Sequence, residues 1–516
     1  MKTKDSSSRI KPVESVDEPQ PSDAEESSLE AEVIDGHAAG EIAQHWYEQQ
    51  NWPRLAAVLT DREMLEAILV HRGCCETAMW WSAMERQTGL PMEACCEAAW
   101  RRWALDESLE ETGDFAARIA SLLYCAGRYG DFTESLARIS LRIDAALYGD
   151  ESGIVGAHLD MLARILDRRG DHVLAEQVAS RAVAIAERLE GTASWITSIR
   201  LSTLASVLMS QDEYDRASKL YRRIVAIVEK EDEVDEHVLA HTRGLLASAL
   251  TMSGNPAAAE PFARRSLEAA EAAEAPGHPL VGNSLRLLAD VLEAKEEFVE
   301  AEPLRRRVLA IAEASLGPDD PQTLSDVDGL ARLLMHRNNY DEAESLLRRT
   351  LAAAEDHADA DGSNVCEALA GLARVCLEKD RNDDAEPLLL RIVNIREDLA
   401  NADPAPLLFG LQQLGVLYRE SGRFGEADSC LQRARALVEQ QDPPDPVDSA
   451  RVLSSIGQLR ILEKRFDEAE LLLQRCLEIR RATLAPNDQA IRLVEERLAK
   501  LRQADEAVGE LDSVPV

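Results

Sequence analysis

The chain has little of what usually builds a catalytic pocket. Aromatic side chains make up only 4% of its 516 residues, although hydrophobic residues reach 45%. The apolar content is therefore mostly Ala, Leu, Val and Ile, which suit close helix–helix packing. Lysine occurs nine times among 57 basic residues, so arginine carries almost all of the positive charge. No run of apolar residues approaches the roughly 18–20 that a membrane-spanning helix needs. Phosphate-binding Gly-x-x-x-x-Gly-Lys-Ser/Thr, the Gly-x-Ser-x-Gly elbow and His-Glu-x-x-His are all missing, which excludes the enzyme families that they mark. Positive charge is also in deficit: 94 acidic residues give a formal charge of −37. Nucleic acid and anionic membrane are bound by basic groups that release counterions, so neither is an expected partner.

Nine cysteines, an odd number set mostly in helical patterns, read as free thiols in a reducing cytoplasm. Cys74-Cys75 and Cys95-Cys96, with His71 just before the first pair, offer soft ligands. Adjacent positions on a helix point about 100° apart, however, and zinc motifs space their ligands by two to four residues. These cysteines read as small buried side chains. His237 and His241 share a helix face but have no third ligand nearby in sequence. No metal, cofactor or catalytic residue is expected.

What is present is a beat of 42 residues. Leu162-Ala163 returns as Leu204-Ala205, Leu246-Ala247, Leu288-Ala289, Leu330-Ala331 and Leu372-Ala373, then as Leu414-Gly415 and Ile456-Gly457. Twelve positions behind runs a second column: Ala175, Ala217, Ala259, Ala301, Ala343, Ala385, Ala427 and Ala469. Eight registers without an insertion mark a repeat array. Each unit holds two amphipathic helices, as in Gln322 to Arg337 and Asp341 to Glu355, with Asn338-Asn339 breaking between them. The small columns belong where the two helices cross most closely. Loops such as Leu316-Gly317-Pro318-Asp319-Asp320-Pro321 separate the units.

The Leu-Ala column, the Tyr/Phe-x-x-Ala-Glu turn (Phe298 to Glu302, Tyr340 to Glu344, Phe466 to Glu470) and the twelve-residue offset resemble tetratricopeptide repeats. The 42-residue length and the Gly-Pro-Asp-Asp-Pro linker resemble the kinesin-light-chain subtype. The resemblance implies an all-α fold, an α-solenoid whose helix hairpins wind into a right-handed superhelix. It also implies that the first helix of each unit lines a groove for protein or peptide partners. The chain departs from the subtype at the Asn pair just before the Leu-Ala column. Here those positions are Asp160-Met161, Ser202-Thr203, Gly244-Leu245, Arg286-Leu287, Asp328-Gly329, Ala370-Gly371, Gln412-Gln413 and Ser454-Ser455.

The expected organisation is an acidic tail at 1–35, a helical region at 36–152, eight repeats at 153–488, and a capping helix with a tail at 489–516. The helical region holds six of the seven tryptophans. It reads either as degenerate repeats capping the stack or as an aromatic-rich docking module; Gly113 to Tyr148 looks like one degenerate repeat. The capping helix is expected from Ala490 to Gln503.

Packing fixes the small columns but leaves others free, and those free columns supply the groove candidates. One position after the Leu-Ala pair come Arg164, Asp290, Arg332 and Arg374. Three positions further come Met335 and Arg419, and Arg286 stands just before its pair. Arg332, Arg374 and Arg419 fall in neighbouring units. They either form a cationic ladder for an acidic segment or a C-terminal carboxylate, or pair internally with Asp328, Glu378 and Glu420. The leading expectation is a non-enzymatic cytoplasmic scaffold that binds a protein partner in its groove. The alternative is a sensor or regulatory subunit of a bacterial signalling or defence assembly that works with a separately encoded effector.

Overall fold

The computed structural model describes residues 36–103, 108–230, 235–356, 362–397, 404–441, 444–484 and 488–512. The acidic tail expected at 1–35 lies outside them. The described residues form helices and connecting turns, with no strand among them.

The chain divides into two compact units, Met1–Lys230 and Glu231–Val516. The first holds α1 (Gly36–Glu48), α2 (Trp52–Thr60), α3 (Arg62–His71), α4 (Gly73–Thr88), α5 (Met92–Trp103), α6 (Leu109–Cys125) and α7 (Asp131–Tyr148). It continues with α8 (Gly153–Arg168), α9 (His172–Glu190), α10 (Trp195–Ser210) and α11 (Tyr214–Val228). The second unit opens with α12 (Glu236–Met252), α13 (Pro256–Ala273), α14 (Pro279–Ala294), α15 (Phe298–Ser315), α16 (Pro321–His336) and α17 (Tyr340–Asp356). It closes with α18 (Ser363–Glu378), α19 (Asn382–Glu397), α20 (Pro404–Glu420), α21 (Phe424–Glu439), α22 (Pro446–Leu462), α23 (Phe466–Thr483) and α24 (Gln489–Asp512). The terminal helix thus runs past Gln503, where a tail was expected.

From α8 to α23 the helices alternate as first and second members of a hairpin, and each hairpin packs on the next within its unit. The close crossing appears as predicted: every alanine from Ala175 to Ala469 in the second column is fully buried. One backbone device ends each first helix. Gly170, Asp212, Gly254, Glu296, Asn338, Asp380, Gly422 and Lys464 recur at the 42-residue spacing, all with positive φ between 55° and 85°. At such a residue the chain turns left-handed, and the next amide bonds back to the helix, as Asn339 N–H does to the Leu334 carbonyl at 2.8 Å. Only three of the eight are glycine, so five turns hold a side chain in a conformation that glycine adopts more cheaply.

Residue 152 is not a structural break. The apolar core containing Leu55, Leu65, Trp80, Trp81 and Phe115 continues into the first two repeats through Leu162, Ala175 and Val207. Helices α6 and α7 pack as a hairpin like those that follow. Trp80 and Trp81 lie in this core, and Trp46, Trp52 and Trp100 pack against it half-buried.

The arginine excess has a structural use. On the second helices an arginine reaches a glutamate 36 residues earlier, in the preceding repeat. Arg223 meets Glu187 at 2.6 Å in the first unit. In the second, Arg307 meets Glu271 at 2.7 Å, Arg349 meets Glu313 at 2.5 Å, Arg391 meets Glu355 at 2.6 Å, and Arg433 pairs with Glu397. All are partly exposed, so each contributes about 0.2–1 kcal/mol at most.

Candidate partner-binding face

First helices of adjacent repeats touch one another: α8 and α10 in the first unit, and α12 with α14, α16 with α18, α18 with α20 and α20 with α22 in the second. Within each unit they form one layer, and all seven groove candidates lie on it.

Their states differ. Arg164 is held by Asp160 at 2.5 Å, and Arg200 of the next first helix reaches the same buried carboxylate at 3.2 Å. Arg286 donates from Nε and Nη2 to the two oxygens of Asp326 at 2.7 and 2.8 Å. These two bridges are equivalent. Arg286 and Asp326 lie three repeats after Asp160 and Arg200 respectively, with the charges exchanged. Asp290 receives Arg305 Nη2 at 2.5 Å, and Arg305, nearly fully buried, also donates from Nε to Glu293 at 2.6 Å. Met335 packs half-buried on the cluster of Leu330, Leu334, Ala343 and Leu347.

The three neighbouring arginines do not behave alike. Arg419 is mostly buried, donating to Gln458 Oε1 at 3.0 Å and pairing with Glu420 at 3.1 Å. Arg374 is exposed and lies 5.8 Å from the Phe409 ring centre. Arg332 is exposed and forms no hydrogen bond or ion pair among the described residues. Glu378, the proposed partner of Arg374, instead accepts from the Tyr340 hydroxyl at 3.5 Å.

A cavity of about 440 Å³ in the second unit gathers three of the candidates, Arg286, Asp290 and Arg332, with Asp319, Asp326, Asp328 and Glu367. Burial pushes the Asp328 carboxyl up to about 6; the nearby Glu367 charge adds to this, while the Thr350 hydroxyl and Arg332 oppose it. One Asp328 oxygen, Oδ1, is buried without a hydrogen-bond partner. Such an acceptor costs about 1–3 kcal/mol if nothing satisfies it.

It does not stand alone. Asp160 Oδ1 and Gln412 Nε2 are likewise buried and unpartnered. Asp160, Asp328 and Gln412 occupy one register of the 42-residue repeat, the first position of the pair where the kinesin-light-chain subtype carries Asn. The Asn of the subtype is missing from this column, and these polar side chains stand in its place. Their recurrence in one column was the available signal.

Of the four cysteines expected to be buried, only Cys96 is; Cys74 and Cys95 are half-buried and Cys75 is exposed. Cys96, Cys366, Cys376 and Cys476 are buried, but Cys75 is exposed, with its Sγ 3.1 Å from that of exposed Cys125. Adjacent positions on α4 turn Cys74 inward and Cys75 outward. No group of three metal-binding side chains occurs among the described residues. No described helix is long and apolar enough to cross a membrane.

A family model described as Tetratricopeptide repeat matches residues 197–272, 280–356, 325–398 and 407–482, together just over half of the chain. No curated protein matches. Among solved structures, the apo form of RapI is similar, with 12% identity over 72% of this chain and 97% of that one and a TM-score of 0.52. The kinesin light chain TPR-like repeats of Podosopora anserina show 20% identity over 41% and 99%, with a TM-score of 0.37. The apo quorum sensor NprR from B. thuringiensis shows 14% identity over 72% and 99%, with a TM-score of 0.45. At 12% identity the likeness to RapI is one of fold.

Proposed function

Because the chain belongs to the tetratricopeptide repeat family, we propose that it is a non-enzymatic scaffold that holds an extended segment of a protein partner along the first-helix layer of its second unit. The observation that carries this reading is the pair Asp328 and Gln412, which share one register of the second unit. Each keeps a buried polar atom unpartnered, two repeats apart on that layer. Packing alone gives no reason for such atoms to recur, because each costs stability wherever it stands. A bound backbone offers alternating donors and acceptors that would meet them, and many modest contacts on a preformed surface make a stable complex. Free thiols at all nine cysteines fit a cytoplasmic setting.

Arg332 and Arg374 are the exposed arginines of this layer that the repeat does not consume. The reading is tested by partner capture with the wild-type chain and with Arg332→Glu and Arg374→Glu. The expected result is the same partner recovered more weakly by both variants, with unchanged circular dichroism. Recovery that is indifferent to both substitutions would overturn the use of this face.

A further inference from the structure

We propose that the cavity at Asp328 and Glu367 is a receptor for one basic side chain, lysine or arginine, of the segment held on this face. The proposal rests on the reading of the face given above and adds the chemistry of one subsite.

At about 440 Å³ the cavity falls in the size range of ligand sites rather than of single buried waters. Its charges do not cancel. Five carboxylates line it (Asp290, Asp319, Asp326, Asp328 and Glu367) against three guanidiniums. Two of the guanidiniums are already spent: Arg286 is bound through two nitrogens by Asp326, and Arg305 is shared by Asp290 and Glu293. What faces the empty space is Asp319, Asp328 and Glu367 against Arg332 alone.

Three kinds of occupant can be compared. An incoming carboxylate would become a fourth negative charge beside a single free arginine. An apolar group would leave Asp328 Oδ1 buried and unmet, and would take water from the exposed Glu367 without replacing it. An ammonium or guanidinium supplies donors to Oδ1 and opposite charge to the Asp328–Glu367 pair in one step. Its methylene stem would lie on the apolar wall of Leu324, Ala353 and Ala354, as long basic side chains do when only their heads need polar company. Arg332, at the edge of the charge, is then placed to hold a backbone carbonyl of the same segment.

The cavity therefore selects against the acidic ligand that a row of arginines on this face implies. Arginines counted in sequence give a positive groove; counted after internal pairing, this stretch of it is negative.

The test uses the full chain and fluorescent peptides of Ala-Gly-Ser background, identical except for one central residue: Arg, Lys, norleucine or Glu. Fluorescence anisotropy should show the Arg and Lys probes binding at least about tenfold more tightly than the norleucine probe, with Glu weakest. The near-isosteric double variant Asp328→Asn, Glu367→Gln, with native circular dichroism, should abolish that preference. Equal affinity for all four probes, preference for Glu, no binding of any probe at millimolar concentration, or an unchanged preference in the double variant would each overturn the proposal. Its failure is separable from failure of the scaffold reading. A photo-cross-linker in place of Arg374, outside the cavity, reports partner contact independently of this subsite.

Discussion

Substitution of Arg286 by methionine should destabilise the second unit through one identifiable interaction. Asp326 is only 2% exposed, and both of its oxygens are met by Arg286. Removing the guanidinium strands a buried carboxylate, which in general costs about 3–5 kcal/mol. The Arg286 side chain is itself a quarter exposed, so water can reach part of Asp326 after truncation, and about 2–3 kcal/mol is expected. The informative partner experiment is the exchange Arg286→Asp with Asp326→Arg. Nature holds that arrangement three repeats earlier, where Asp160 pairs with Arg200 at 3.2 Å. The exchanged chain should recover to within about 1 kcal/mol of wild type, giving a coupling energy of about 1.5–3 kcal/mol in a double-mutant cycle. Arrays unfold repeat by repeat, so the assay is amide hydrogen exchange in α14 and α16 rather than one global melt. Loss of under about 0.5 kcal/mol in Arg286→Met, or an exchange as damaging as either single change, would refute the reasoning.

Gly415→Ala would place a Cβ 2.6 Å from Leu431 Cγ and 2.7 Å from its Cδ2, against a fully buried leucine; a loss of about 1–3 kcal/mol by thermal denaturation is expected, and a neutral result would mean that Leu431 can turn aside. Asp328, raised to about 6 from its ordinary 3.8, binds its proton more tightly in the folded chain than in the unfolded one. The penalty is therefore complete above pH 6 and relieved as pH falls towards 4. Asp328→Asn should stabilise by on the order of 1–3 kcal/mol at pH 7.5, with the gain vanishing near pH 4; a gain that does not depend on pH would contradict this. Treatment with diamide should join Cys75 to Cys125, taking two of the nine thiols out of reaction with a thiol reagent. Burial and the adjoining Cys75 push the Cys125 thiol up; disulfide formation needs a thiolate, so the reaction quickens with pH. All nine thiols titrating after diamide would reject the pairing.

The architecture was legible because close packing repeats. A helix crossing that admits only alanine must show alanine at each period, so Ala175 to Ala469 announced the hairpins, and Asn338-Asn339 announced the left-handed turn between them. The site was less legible because pairing among charged side chains depends on which of them lean across to the next helix. Arg164, Arg286 and Arg419 are groove candidates by register, yet each is engaged internally. Met335 varies from unit to unit as a surface residue would, yet it packs on the core because it stands four positions after buried Ala331, on the same helix face. The cavity needed residues from several helices, including Arg305 and Glu367, which no column of the repeat brings together in sequence.

The most direct measurement is photo-cross-linking from single positions of the full chain in its source cells. A cross-linker at Arg332, Arg374 or Gln413 samples the first-helix layer. One at Val299 or Leu471, both strongly exposed, samples the second helices. Partner binding on the first-helix layer predicts one and the same protein captured from the first three positions and not from the last two. Capture of that protein from Val299 and Leu471, with Arg332, Arg374 and Gln413 silent, would contradict it.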